Sequence, residues 1–95
     1  MRRTYRCIHG IVYDILCILS TEYRLGKTKL CSSANLPLDR CSKLLLLLAE
    51  KGLIYERSAD RTRFYEITEK GYEYIALYEH LNSLLPLHSQ FVSKH

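Results

Sequence analysis

Apolar residues recur at Ile8, Ile11, Val12, Ile15, Leu16 and Leu19, the spacing of one face of a helix. They predict a first helix of about 12 residues. The period stops in "STEYRLGKTK", where Gly26 is the natural turn residue. It resumes over Thr28 to Ala34, a short second helix with Leu30 and Ala34 inward. In "ANLPLDRCSKLLLLLAEKGLI", Asn35 suits the left-handed conformation that ends a helix, Leu36 can plug the turn, and Pro37 suits the start of the next helix. On a 100° wheel Leu38, Cys41, Leu44, Leu45 and Leu48 share one side of that third helix, opposite Asp39, Arg40, Lys43 and Glu50. Leu46 and Leu47 do not both fit the buried arc, so at least one is expected to be partly exposed, and Gly52 ends the helix.

Beyond Gly52 the period shortens. Leu53 to Arg57 and Arg63 to Ile67 carry the β-branched and aromatic content of strands, with Ile54, Tyr65 and Ile67 as the inward set and Ser58 to Thr62 as the tip. Thr68 is a good N-cap for a last helix from Glu69 to about Leu85. Its residues Tyr74, Tyr78, Leu81 and Leu85 step by four, three and four, the spacing of a short coiled-coil seam, and these four are the candidate dimerisation residues. Pro86 ends or bends this helix. The predicted fold class is α+β, mainly α. Its parts are a flexible basic N-terminus (1–7), a winged helix-turn-helix domain (8–68), a dimerisation helix (69–85) and a frayed tail (86–95).

Composition adds a class. With 47% hydrophobic and 25% charged residues, the chain has the material of one folded domain. The longest apolar run, Leu44 to Ala49, falls far short of the ~20 residues of a membrane span. The basic and apolar start has the outline of a signal peptide, but Tyr13 and Asp14 interrupt it and no small-x-small site follows. Net charge is +4 and unevenly spread, with eight basic and three acidic side chains up to residue 43, and six and seven after it. Concentrated basic charge suits a polyanion partner. Cys7, Cys17, Cys31 and Cys41 have no C-x-x-C spacing, three of them fall in apolar periodic segments where a free cysteine acts as a small buried hydrophobe, and a reducing cytosol fits best, although disulfides do occur inside hyperthermophiles. A redox role for Cys31 or Cys41 near the basic surface lacks a neighbour that would lower a thiol pKa.

Four pieces, "YDILCIL", "GKTKLCSSANL", "LLAEKGLI" and "YEITEKG", together resemble the archaeal winged helix-turn-helix family of small 10a-type chromatin and transcription-regulator-like proteins. The resemblance runs from about Tyr13 to Leu85. It implies a DNA-binding domain whose C-terminal helix pairs with its copy in an antiparallel coiled coil, in a cytoplasmic, nucleoid-associated homodimer. In this chain that helix has only about 17 residues before Pro86, a length that follows from the predicted N-cap.

The residues alone lead the same way. Duplex DNA carries one phosphate charge per ~1.7 Å of axis, and the second helix of a helix-turn-helix reads the major groove. Arg40, Ser42 and Lys43 on the third helix are candidate groove contacts, and Lys27, Thr28 and Lys29 are candidate backbone contacts. Arg57, Arg61 and Arg63 on the hairpin are candidates for the minor groove. A solvated helix face or a charged edge strand would carry the same side chains, and Arg2, Arg3 and Arg6 fit either a DNA-contacting arm or a loose terminus. The reading from another class is a winged-helix protein-interaction module, with Leu46, Leu47 or the tyrosines of the last helix as its surface. Enzyme signatures are missing. His9, His80, His88 and His95 lack metal-ligand spacing, and neither a Gly-rich phosphate loop nor a G-x-S-x-G elbow occurs. No cofactor, metal or small-molecule substrate is expected.

Overall fold

The computed structural model describes residues 7–85, so Arg2, Arg3, Arg6 and the expected tail lie outside the described residues. The element order is α1 (Ile8–Glu22), α2 (Lys27–Ser33), α3 (Leu38–Glu50), β1 (Ile54–Ala59), β2 (Thr62–Ile67) and α4 (Glu69–Leu84). That is the predicted winged-helix order, mainly helical with one small antiparallel sheet. Among the described residues no helix is long and apolar enough to cross a membrane.

The core forms where three helices turn their apolar stripes together. Val12, Ile15, Leu16 and Leu19 from α1 meet Leu30, Cys31 and Ala34 from α2 and Cys41, Leu45 and Leu48 from α3, closed on one side by Ile54 and Tyr65. The α2 to α3 turn is built as its residues predict. Asn35 sits at φ 61°, a left-handed conformation that asparagine tolerates, while Leu36 packs against the core. Two expectations for these stripes fail at the helix starts. Leu38 is 51% exposed and Ile8 54% exposed, because each is the first residue of its helix and projects past the edge of the core. Both Leu46 and Leu47 are exposed.

The cysteines also depart from expectation. Cys31 and Cys41 form a disulfide, with Cα atoms 5.8 Å apart, so the free thiols among the described residues are Cys7 and Cys17. The reason is tertiary: the tight turn folds α2 onto α3 and brings residues ten apart face to face. A loop this short gives a cross-link worth about 3 kcal/mol or less in the chain-entropy account. Burial pushes the Cys17 thiol pKa up.

The hairpin is longer and its tip tighter than predicted. Ile54 pairs with Ile67 and the ladder runs to Ala59 opposite Thr62, leaving only Asp60 and Arg61 as the turn. Both have positive φ, 51° and 67°, as a two-residue type I′ turn requires. A third stretch joins the sheet at Leu25, which exchanges backbone hydrogen bonds with Tyr65 (3.2 and 2.8 Å). Just before it, Tyr23 (φ 74°, ψ −58°) centres a strained γ-turn closed by Arg24 N–H to the Glu22 carbonyl, 2.8 Å.

Helix α4 lies against α1. Tyr78 stacks on Tyr13 at 4.5 Å between centroids. The Tyr74 hydroxyl donates to the His9 carbonyl (3.2 Å) and lies 2.7 Å from His9 Nδ1. Tyr13 donates to Glu79 (2.8 Å), a bond that, with burial, holds the phenol pKa well above its usual range. Two of the four residues expected on a dimer seam, Tyr74 and Tyr78, are therefore engaged within the chain. Leu81 and Leu85 are exposed, as are Leu77 and Leu84.

Thr68 joins wing to α4. Its hydroxyl accepts from Gly71 N–H (3.0 Å) and donates to the Gly52 carbonyl (2.7 Å), while its own N–H donates to the Leu53 carbonyl (3.2 Å). Thr68→Val keeps the shape but strands a donor and an acceptor, each costing about 1–3 kcal/mol when buried. It should lower stability by about 2–3 kcal/mol, a fall in Tm on the order of 10 °C or more, whereas Thr68→Ser, which keeps the hydroxyl, should recover most of the loss. Thermal melts of the three proteins measure this, and equal Tm values for Thr68→Val and wild type would contradict it.

Candidate nucleic-acid interface

The surface that carries the predicted contacts is made by α2, α3 and the wing. Burying Cys41, Leu45 and Leu48 against α1 and α2 turns Asp39, Arg40, Lys43, Leu46, Leu47 and Glu50 outward, and all six are exposed. The expected contacts Arg40 and Lys43 lie on this face, and Ser42 is half-buried on its flank. Arg40 N–H donates to Asp39 Oδ1 at 2.9 Å, which holds the aspartate against the first turn of α3. At the start of α2, Thr28 and Lys29 are exposed and Lys27 is half-buried.

The three wing arginines are not equivalent. Arg57 Nε meets Glu66 Oε1 at 2.9 Å, and Arg63 meets Glu56 at 3.1 Å. Both glutamates lie on the strands outside the tip, and the ladder carries them alongside the arginines. Counted by side chains, Glu56, Asp60 and Glu66 balance Arg57, Arg61 and Arg63, so the hairpin is neutral as a whole. The basic tip read from the sequence is thus reduced to Arg61, which among the described residues has no ion-pair partner. Surface pairs of this kind are worth about 0–1 kcal/mol, so a phosphate can compete with them.

Arg24 was not among the sequence-derived candidates. Its guanidinium covers the Phe64 ring at 4.2 Å and pairs with Glu66 at 3.4 Å, which explains why Phe64, on the outer face of the hairpin, is nevertheless buried. Arg57 stacks over Tyr55 at 4.3 Å beside it. The outer face of the wing is therefore a braced ladder, Arg24 and Arg57 sharing Glu66. The local signal was only an arginine next to a turn, and its partner is more than forty positions away in the chain.

Arg61 also occupies a costly conformation. A left-handed residue with a Cβ is disfavoured by about 1–2 kcal/mol, a position normally given to glycine in such turns. Arg61→Gly should raise stability by about 0.5–1 kcal/mol, the relief being partly offset by the greater freedom of glycine in the unfolded chain. Denaturant unfolding with an unchanged m-value checks this, and a variant less stable than wild type would contradict it.

No curated protein matches the chain. The winged helix-turn-helix family profile matches residues 5–85. Among solved structures, the DNA-binding protein Sso10a-2 from Sulfolobus solfataricus is 25% identical, with a TM-score of 0.66 over 95% of this chain and 100% of that one. The winged-helix DNA-binding protein F93 from STIV is 22% identical, with a TM-score of 0.70 over 84% of this chain and 96% of that one. A mutant MarR from E. coli complexed with operator DNA is 17% identical, with a TM-score of 0.71 over 84% of this chain, which spans 59% of the MarR chain. With its family match spanning every described helix and the wing, this chain belongs to the winged helix-turn-helix family.

Proposed function

We propose that this protein is a homodimeric DNA-binding protein, a transcription regulator or a small architectural protein. Helix α3 enters the major groove, Lys27, Thr28 and Lys29 meet the phosphate backbone, and the wing tip meets the minor groove or backbone. The observation that carries the reading is Arg61. A hairpin selected for stability alone would carry glycine at that turn, yet this chain holds its long unpaired cation there. Strain kept at an exposed tip argues for a contact beyond the chain. The cations on α3 and α2 support the same surface, and the likeness to Sso10a-2, a DNA-binding protein, adds to it.

Duplex affinity should fall with salt, log K against log salt having a slope of about −4 or steeper if four or more phosphates are neutralised. Arg40→Ala with Lys43→Ala should weaken binding by tenfold or more, on the order of 1.4 kcal/mol. Arg61→Ala should weaken it more than Arg57→Ala, whose guanidinium is already held by Glu66. Anisotropy titrations measure all three, and an affinity indifferent to salt would sink the proposal.

For the dimer, we infer that α4 supplies the seam through Leu77, Leu81, Leu84 and Leu85 rather than through Tyr74 and Tyr78. The four leucines are 61–68% exposed, and Leu77, Leu81 and Leu84 keep the four-three step of a helix seam. Leu81→Asp should give a folded monomer by sedimentation; a persistent dimer would put the interface on another surface.

A further inference from the structure

We propose that the Cys31–Cys41 disulfide is a reducible latch on α2: thiol–disulfide exchange with a dithiol reductant frees α2 from α3 and weakens the DNA contacts assigned to α2. The effect on DNA rests on the DNA-binding reading. Helix α2 has little of its own to hold it. It has seven residues, its N-cap Gly26 offers no side-chain cap, and its first turn holds no acidic residue. Lys27 and Lys29 instead place two cations at the end where the helix dipole is already positive. An isolated helix shorter than about 12–15 residues is marginal in water, so α2 depends on what its inner side touches. That side is Leu30 and Cys31, with Ala34 at the C-cap. One of these three is half of the disulfide.

Outside the disulfide, α2 is tied in at its two ends. Leu25, two residues before it, shares two backbone bonds with Tyr65, and Leu36 N–H after it donates to the Cys31 carbonyl at 3.0 Å. Cys41 belongs to the 13-residue α3, which also buries Leu45 and Leu48, so breaking the S–S bond releases α2 rather than α3. Cys41 is fully buried, whereas Cys31 is 2% exposed and lines an open cleft with Thr28, Ser32, Asn35 and Pro37. Exchange therefore starts at Cys31, once α2 opens toward that cleft. One thiolate of the reductant attacks the Cys31 sulfur, and the Cys41 sulfur leaves as a thiolate and takes up a proton. The second thiol of the reductant then displaces the Cys31 sulfur. The protein gains two electrons and two protons as two thiols, and the reductant becomes its own disulfide.

The test compares the oxidised full chain with the same chain treated with dithiothreitol. On reduction, amide hydrogen exchange at Leu30 and Ala34 in α2 should speed up by tenfold or more relative to Leu45 in α3, within the roughly hundredfold that the loop entropy of the cross-link allows. Duplex affinity should fall by about threefold or more. Cys7→Ser with Cys17→Ser should respond as the wild type does, and Cys31→Ala with Cys41→Ala should bind like the reduced protein whether or not dithiothreitol is present. An unchanged ratio of α2 to α3 exchange overturns the inference, because a general loss of stability speeds both alike. A reduced protein that unfolds outright also overturns it, since the bond would then be a plain structural cross-link. Equal duplex affinity of the two forms overturns it and leaves the DNA-binding reading standing. Failure of both forms to bind any duplex overturns both readings.

Discussion

One side chain, the hydroxyl of Thr68, holds the end of α3, the base of the wing and the start of α4 in a single arrangement. It is the one buried polar side chain among the described residues, 7% exposed, and it bonds to Gly52 on one side and Gly71 on the other. Gly52 needs its positive φ of 82° to turn the chain out of α3. Gly71 needs the absence of a side chain, because a Cβ there would lie 2.5 Å from the Leu53 carbonyl oxygen and from Ile67. Lys70 adds a bond from its ammonium to the Lys51 carbonyl at 2.7 Å, which covers the end of α3. The direction of the wing and that of α4 are therefore set together.

From that junction the rest follows in two directions. On one side the wing is stiffened by a ladder that its own strands cannot supply, since Arg24 comes from the loop after α1 and covers Phe64 while sharing Glu66 with Arg57. The wing's internal pairing uses most of its charge and leaves Arg61 at the end of a braced arm. On the other side α4 packs its tyrosines on α1 and leaves an adjoining row of leucines exposed. Between these two arms the disulfide and the Asn35 turn tie α2 to α3.

Local chemistry was enough wherever a residue acts on its own backbone. Asn35, Gly52 and Thr68 mark their turns and cap because positive φ and a capping hydroxyl are properties of single residues. The periods of α1, α3 and the hairpin follow from which positions must face a shared core. Such signals weaken at the ends of elements. Leu38 fits the apolar arc of α3 by angle but lies beyond the core in depth, and a wheel has no depth. The expected tip, Ser58 to Thr62, contains the turn, but its two-residue form at Asp60 and Arg61 has no glycine to mark it, because the chain there accepts strain in place of the favoured residue.

The sequence by itself determined the order of elements and the family resemblance and singled out the candidate basic residues, since these depend on neighbours within a turn or two. Only the tertiary structure decided which of those residues are free to act. Glu56 and Glu66 reach the arginines of the wing across the hairpin, Tyr74 and Tyr78 find α1 before any partner chain, and Cys31 meets Cys41 once the turn has closed. Each of these pairings depends on distance in space, which periodicity along one element does not encode. Freedom from such pairing is what sets Arg61 apart from Arg57 and Arg63 on the same hairpin.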